Sequence, residues 1–125
     1  MKARDSSLRL KRFAAAEKAR KVEDLTAMLR EFEGMVLDLD RQIQAEEDRT
    51  GVRDVAHFAY STFAKAAAQR RDNLRASILD LKAQLEVAQQ VHSEAADELA
   101  RAEAAEPREA DRGGRGKSKR TSVPL

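Results

Sequence analysis

The feature that most constrains the fold is a run of apolar residues whose spacing alternates between three and four positions. The run consists of Val22, Leu25, Leu29, Phe32, Val36, Leu39 and Ile43. This is the a/d spacing of a heptad repeat, and the intervening residues are mostly charged, so the run predicts a long amphipathic helix. Because such a helix is marginal alone in water, its apolar stripe requires a partner.

A second run with the same spacing follows and supplies that partner. Its positions are Ala64, Ala67, Arg71, Leu74, Ile78, Leu81, Leu85, Ala88, His92, Ala95, Leu99 and Ala102. Two helices joined by a short link lie antiparallel, so facing residues have a constant sum of residue numbers. A sum of about 110 pairs Val36 with Leu74 and Leu29 with Leu81, apolar against apolar.

These patterns predict an all-α fold: a long antiparallel two-helix coiled-coil hairpin with a disordered basic C-terminal tail. We expect helix 1 at about 6–49, the bend at about 50–60, helix 2 at about 61–105, and the tail at 107–125. Ser6 or Ser7 is the expected N-cap of helix 1. Gly51 is its expected left-handed C-cap, and Pro107 marks the expected end of helix 2.

The N-terminal part of the seam has a poorer register. Continuing the heptads back from Val22 places Lys18 and Lys11 at seam positions, while Leu8, Leu10 and Phe13 give an apolar side. In the link, residues 54–60 are too apolar for a plain loop and suggest a short helical turn over the hairpin end.

Charge is distributed in blocks although the net charge is only +2. The net charge is +6 over residues 1–21, −6 over 22–60, +3 over 61–75, −5 over 76–106 and +4 over 107–125. Blocks of this kind bear on partners and pairing. The chain has no Cys, no apolar run long enough to span a membrane and no signal-peptide pattern, so we expect a cytosolic protein.

Catalytic chemistry is not indicated. Gly116-Lys117-Ser118 matches the end of a phosphate-binding loop, but the required strand and first Gly are missing. His92 falls on the seam and His57 in the link, where core and capping roles are the default. We therefore expect no enzyme activity, no catalytic residue, no metal site and no cofactor.

The sequence favours a binding function over a catalytic one. Phe58, Tyr60 and Phe63 lie near the bend, either exposed as a binding site or capping the hairpin core. Two alternatives stay open at this point. One is a hairpin that binds nucleic acid or an anionic membrane surface through its basic segments. The other is a generic homodimeric coiled-coil scaffold with parallel chains.

Three segments resemble the flagellar export proteins of the FliJ family, of the alphaproteobacterial type. They are Leu8-Arg9-Leu10-Lys11-Arg12-Phe13, His57-Phe58-Ala59-Tyr60 at the bend, and Arg70-Arg71-Asp72-Asn73-Leu74 on the second helix. The resemblance covers about residues 1–105. It implies an antiparallel two-helix coiled coil similar to the central shaft of rotary ATP synthases.

The resemblance also implies a function in bacterial flagellum biogenesis and motility. The chain would be a non-enzymatic component of the flagellar type III protein export apparatus, a stalk that couples the export ATPase ring to the export gate. It would assist the cycling of export chaperones, and it would be cytoplasmic and peripherally associated with the inner membrane at the flagellar base. Its implied partners are the export ATPase, the membrane gate protein and the chaperones, with neither a nucleic acid nor a small-molecule substrate.

The family's gate-binding patch has a pattern like F-x-x-x-L-x-x-A-x-x-x-H just after the bend. Phe63 matches its first position, and Ala67, Arg70 and Leu74 stand at the others. With the neighbouring Tyr60 and Arg71, these give six expected partner-binding residues. We further expect the chain ends, residues 1–21 and 95–105, to engage the ATPase ring.

Overall fold

The secondary structure consists of two long α-helices and a short link. The computed structural model describes the backbone of residues 2–114 and the side chains of residues 3–105. Helix α1 spans Lys2–Thr50 and helix α2 spans Thr62–Gly114, and the described residues contain no strand. The predicted all-α helical hairpin is confirmed.

The chain divides into two compact units, each of which contains part of both helices. The bend unit comprises Lys21–Val87, and the terminal unit comprises Met1–Arg20 together with Ala88–Leu125. The helices pair antiparallel in each unit. In the bend unit Asp40 contacts Arg71, and in the terminal unit Lys11 contacts Glu98, both close to the predicted constant sum.

The seam of the bend unit follows the predicted heptads. The positions that are buried are Leu25, Leu39, Ile43, Ala64, Ala67, Ile78 and Leu81. The other predicted positions of this unit are all half-buried: Val22, Leu29, Phe32, Val36, Arg71, Leu74 and Leu85. Nearest the bend, the core is closed by Tyr60, which joins Leu39 and Ile43 in one cluster.

The seam of the terminal unit is looser. On α1, Leu8 and Ala15 are buried and Lys11 is half-buried, so the register does continue through this end. The prediction that Lys18 lies in the seam is wrong, because its side chain is exposed. An ammonium on a flexible stem keeps its hydration by turning to solvent. On α2, His92 and the four apolar seam positions that follow Val87 are half-buried.

The helix ends differ from the prediction in two places. Helix α1 begins at Lys2, so neither Ser6 nor Ser7 is its N-cap. Asp5 lies in the first turn, where a carboxylate interacts favourably with the helix dipole. Helix α2 runs through Pro107 to Gly114. A proline removes one helical hydrogen bond, but Ala104, Ala105 and Ala110 around it are strong helix formers. The expected end of helix 2 near Pro107 is therefore not observed, because the helix continues to Gly114. Residues 115–125 of the predicted tail lie outside the described residues.

Candidate partner-binding surface

The end of α1 is terminated by the predicted glycine. Gly51 has a φ of 74°, in the left-handed region, and its N–H donates to the Glu47 carbonyl at 2.8 Å. This is the αL C-cap arrangement. The Thr50 hydroxyl accepts a hydrogen bond from the Val52 N–H at 3.2 Å, and Val52 packs against the hairpin core. The chain thus reverses direction immediately after α1.

The link itself consists of two consecutive turns and not a helical turn. The His57 N–H donates to the Asp54 carbonyl at 2.9 Å, and the Tyr60 N–H donates to the His57 carbonyl at 3.0 Å. Each turn is reinforced by a side chain: Asp54 Oδ1 accepts from the Ala56 N–H, and His57 Nδ1 accepts from the Ala59 N–H. Local hydrogen bonds of this kind fix a link that has little core of its own.

A carboxylate on α1 ties the two helices together at the start of α2. Ser61 is the N-cap, because its Oγ accepts the Ala64 N–H at 3.1 Å. The same hydroxyl donates to Glu46 Oε2 at 2.6 Å, and Arg49 Nη2 donates to that oxygen at 2.7 Å. The hydrogen bond from Arg49 and then that from Ser61 lower the pKa of Glu46 to about 2. The cap of one helix is therefore held by the last turn of the other.

Tyr60 closes the hairpin core. The residue is 8% exposed and packs with Leu39, Ile43 and Ala64. Its hydroxyl donates to Glu47 Oε2 at 2.7 Å, and this hydrogen bond raises the pKa of Tyr60. Of the two interpretations of this aromatic residue, the structure favours the core cap.

Two more of the expected partner-binding residues also face the hairpin interior. Ala67 is 1% exposed, and Leu74 packs against the same cluster. Tyr60 and Ala67 are almost fully covered within the hairpin, and the half-buried Leu74 offers a partner only part of its side chain. We therefore reassign Tyr60, Ala67 and Leu74 to the hairpin core.

Arg71 is a seam residue whose charge reaches the surface. Its side chain is 22% exposed, and its guanidinium donates to Asp40 at 3.0 Å and to Asp72 at 3.3 Å. The hydrogen bond to Asp40 raises the pKa of Arg71. The aliphatic stem fills a seam position while the charged end pairs with α1, so Arg71 fastens the hairpin.

Phe63 and Arg70 remain available to a partner. Phe63 is 54% exposed, Arg70 is exposed, and the seven-residue interval puts both on one face of α2. In the link, Phe58 is 96% exposed, and its ring stacks on His57 at a centroid distance of 4.7 Å. We call Phe58, Phe63 and Arg70 the bend surface.

A second exposed apolar pair lies in the terminal unit. Leu10 is 69% and Phe13 63% exposed, and together with Ser6 and Arg9 they line a shallow depression. The sequence analysis placed both residues on an apolar side of α1 but did not predict that this side is exposed to solvent. The signal was available, because the seam through Leu8 and Ala15 leaves both residues outside the heptad a/d positions.

Some charged residues of these blocks form ion pairs between α1 and α2. In the terminal unit, Lys11 contacts Glu98 at 3.5 Å and Arg12 contacts Glu103 at 3.2 Å. In the bend unit, Asp40 forms the ion pair with Arg71 described above. Opposite blocks thus face each other when the helices run antiparallel, which adds to the preference for this orientation.

No helix in the described part of the chain is both long and apolar enough to cross a membrane. Comparison with protein-family models, with curated proteins and with solved structures finds no match to this chain.

Proposed function

We propose that the chain is a non-enzymatic coiled-coil component of a flagellar type III export apparatus. It would act as a stalk between the export ATPase ring and the membrane export gate, and it would assist chaperone cycling. Its place would be the cytoplasmic side of the inner membrane at the flagellar base. The proposal rests on the resemblance of the three sequence segments to the FliJ family, and it is compatible with the antiparallel hairpin.

The observation that carries the proposal is the exposure of Phe63. This residue is the one that matches the first position of the family's gate-binding pattern, and it is 54% exposed although its neighbour Ala64 is fully buried. Large aromatic side chains and Arg are common in the centres of protein interfaces, and Arg70 lies two turns from Phe63 on the same face of α2. Phe63 and Arg70 are therefore our candidates for the gate contact.

Leu10 and Phe13 are the corresponding candidates for the ATPase contact. They lie in the N-terminal segment for which we expect ring engagement, and they expose apolar surface on successive turns. Arg9 beside them adds a positive charge. A surface of this composition suits a protein interface with an apolar centre and a polar rim.

The internal ion pairs weigh against the nucleic-acid and membrane alternatives. Lys11 and Arg12 belong to the basic N-terminal block, yet both are paired with carboxylates of α2. Binding to phosphates would have to compete with these pairs. The core cluster near the bend is formed between α1 and α2 of one chain, and this weighs against a parallel homodimer that would use the same apolar residues.

The test is a pair of matched Phe→Ala variants in the two units. Phe63→Ala should weaken binding to the cytoplasmic part of the export gate protein at least tenfold and leave stimulation of the export ATPase unchanged. Phe13→Ala should do the reverse. The two phenylalanines have similar exposure, 54% and 63%, so each variant is the control for the other. Calorimetric titration measures the first effect, and ATP turnover measures the second.

Circular dichroism of both variants should match that of the parent chain, since neither side chain lies in the core. The proposal fails if the parent chain binds neither protein. It also fails in its assignment of surfaces if either substitution lowers both activities equally.

A further inference from the structure

A second stripe runs along α1 in the bend unit, beside the seam. It alternates carboxylates with methionines at steps of four and three residues: Asp24, Met28, Glu31, Met35 and Asp38. Residues at these intervals are neighbours on one helix face. All five are exposed, with Met28 at 42% and Met35 at 43%. We call this set the acid–Met stripe.

The opposite flank of the hairpin is closed by its own ion pairs. Asp40, which directly follows the buried Leu39, contacts Arg71 at 3.0 Å and Arg75 at 3.8 Å. Asp40 on that flank is therefore already balanced by two guanidinium groups of α2. The acid–Met stripe follows the other side of the α1 seam, since Met28 and Met35 directly precede the seam residues Leu29 and Val36.

Of the three carboxylates of the stripe, Glu31 is the one without a nearby cation, since Asp24 follows Lys21 by three residues on the same helix. Asp38 contacts Arg41 at 3.0 Å, but neither Asp24 nor Glu31 has an ion pair among the residues whose side chains are described. Glu31 has no Lys or Arg three or four residues away on its own helix. On the same flank of α2, the four residues at the level of the stripe carry no positive charge: Asn73, Ser77, Asp80 and Gln84. The nearest cation on that flank is Arg70, one heptad before Ser77 and closer to the bend.

We propose that the acid–Met stripe is a docking surface for a basic amphipathic helix of another protein. Methionine side chains are flexible and polarizable, so they adapt to a variety of apolar side chains. The carboxylates, one turn apart, would pair with Lys or Arg that flank the apolar stripe of the incoming helix. This inference goes beyond the export function, and it stands or falls independently of the partners proposed there.

Charge complementarity selects this occupant over other helices. A neutral amphipathic helix would leave Glu31 without a counterion, and an acidic one would bring like charges together. Because the stripe is solvent-exposed, its ion pairs are screened by salt, and binding should weaken as ionic strength rises.

The experiment uses the full chain and a synthetic helical peptide as the probe. The peptide carries Leu at alternating steps of three and four residues, with Lys at the flanking positions, and a fluorescent label. A second peptide replaces every Lys by Glu. Fluorescence anisotropy should show saturable binding of the Lys peptide, at least tenfold weaker binding at high salt, and no binding of the Glu peptide.

Two matched pairs of variants locate the site. Glu31→Lys should weaken binding of the Lys peptide about tenfold, whereas Glu23→Lys, the same charge change outside the stripe, should alter it less than twofold. Met35→Gln should weaken binding several-fold, whereas Leu37→Gln, at 56% exposure on another face of α1, should not. None of these side chains lies in the core, so folding is preserved.

Equal effects within either pair would overturn the proposal, since binding would then follow net charge or general hydrophobicity. It is also overturned if sedimentation shows that the chain self-associates and that Glu31→Lys abolishes this association. In that case the occupant of the stripe is a second copy of this chain.

Discussion

The seam of the bend unit can be tested by deleting the same side chain at a buried and an exposed position of one helix. Leu81 is 6% exposed, and Leu79, two residues away on α2, is 70% exposed. Leu81→Ala and Leu79→Ala change helix propensity by the same amount. Any difference between them therefore reports packing against α1.

The magnitude follows from the burial. Burying a Leu side chain fully is worth about 1.5–3 kcal/mol, and Leu→Ala in protein cores costs about 2–5 kcal/mol once the cavity is included. A seam between only two helices can partly collapse or admit water, so the lower part of that range applies. We expect a loss of about 2–3 kcal/mol for Leu81→Ala and a change within about 0.5 kcal/mol for Leu79→Ala.

Urea unfolding followed by circular dichroism at the helical band measures both variants. With a slope of about 1–2 kcal/mol per molar urea, Leu81→Ala should lower the midpoint by roughly 1–3 M without a change of slope. Equal midpoints for the two variants would refute the assignment of Leu81 to the seam. So would a larger loss for Leu79→Ala.

Two further predictions concern the glycines and the bend carboxylate. Gly51→Ala places a Cβ on a residue in the left-handed region and should destabilise the chain by about 1–2 kcal/mol. Gly34→Ala, in open space on α1, should instead stabilise the chain by about 0.5–1 kcal/mol. The same urea titration measures both variants, and a stabilising effect of Gly51→Ala would contradict the C-cap assignment. The pKa of Glu46 is lowered from 4.5 to about 2, so its contribution to stability is present above pH 4.5 and is lost as pH falls toward 2. Thermal midpoints of Glu46→Gln should accordingly lie closer to those of the parent at pH 2 than at pH 7, and a constant difference would contradict this linkage.

The sequence by itself was sufficient for the fold because the heptad pattern is redundant. Seven apolar positions from Val22 to Ile43 and the matching run from Ala64 agree in period and in antiparallel register. A shift of either helix by one residue would expose a whole stripe, so few alternatives compete. Gly51 then marked the end of α1, since glycine is the residue type that a left-handed C-cap position favours.

The helix ends were less determined by the sequence. The serines near the N-terminus and Pro107 are local signals worth about one to a few kcal/mol. Against them stand many Ala, Arg, Glu and Lys residues, each of which favours helix slightly. The sum of small preferences extended α1 to Lys2 and α2 past Pro107.

Among the candidate partner-binding residues, the sequence could place those on α2 but not Tyr60 in the link. Ala67 and Leu74 occupy seam positions of the heptad repeat, whereas Phe63 and Arg70 do not. The heptad register therefore predicts which of these four residues face the other helix and which face solvent. Tyr60 could not be placed this way, because it belongs to a link without periodicity. Its burial depends on two turns and on a hydrogen bond to Glu47, thirteen residues earlier in the chain.

What the sequence determined is therefore the set of residues that repeat with a period: two helices, their seam and their antiparallel pairing. Only the tertiary structure decided which side chains outside the heptad seam positions are buried by another segment. The Glu46–Ser61 hydrogen bond and the burial of Tyr60 belong to this second group. The physical reason is that periodic burial is a property of one helix face, whereas these contacts depend on where another segment ends.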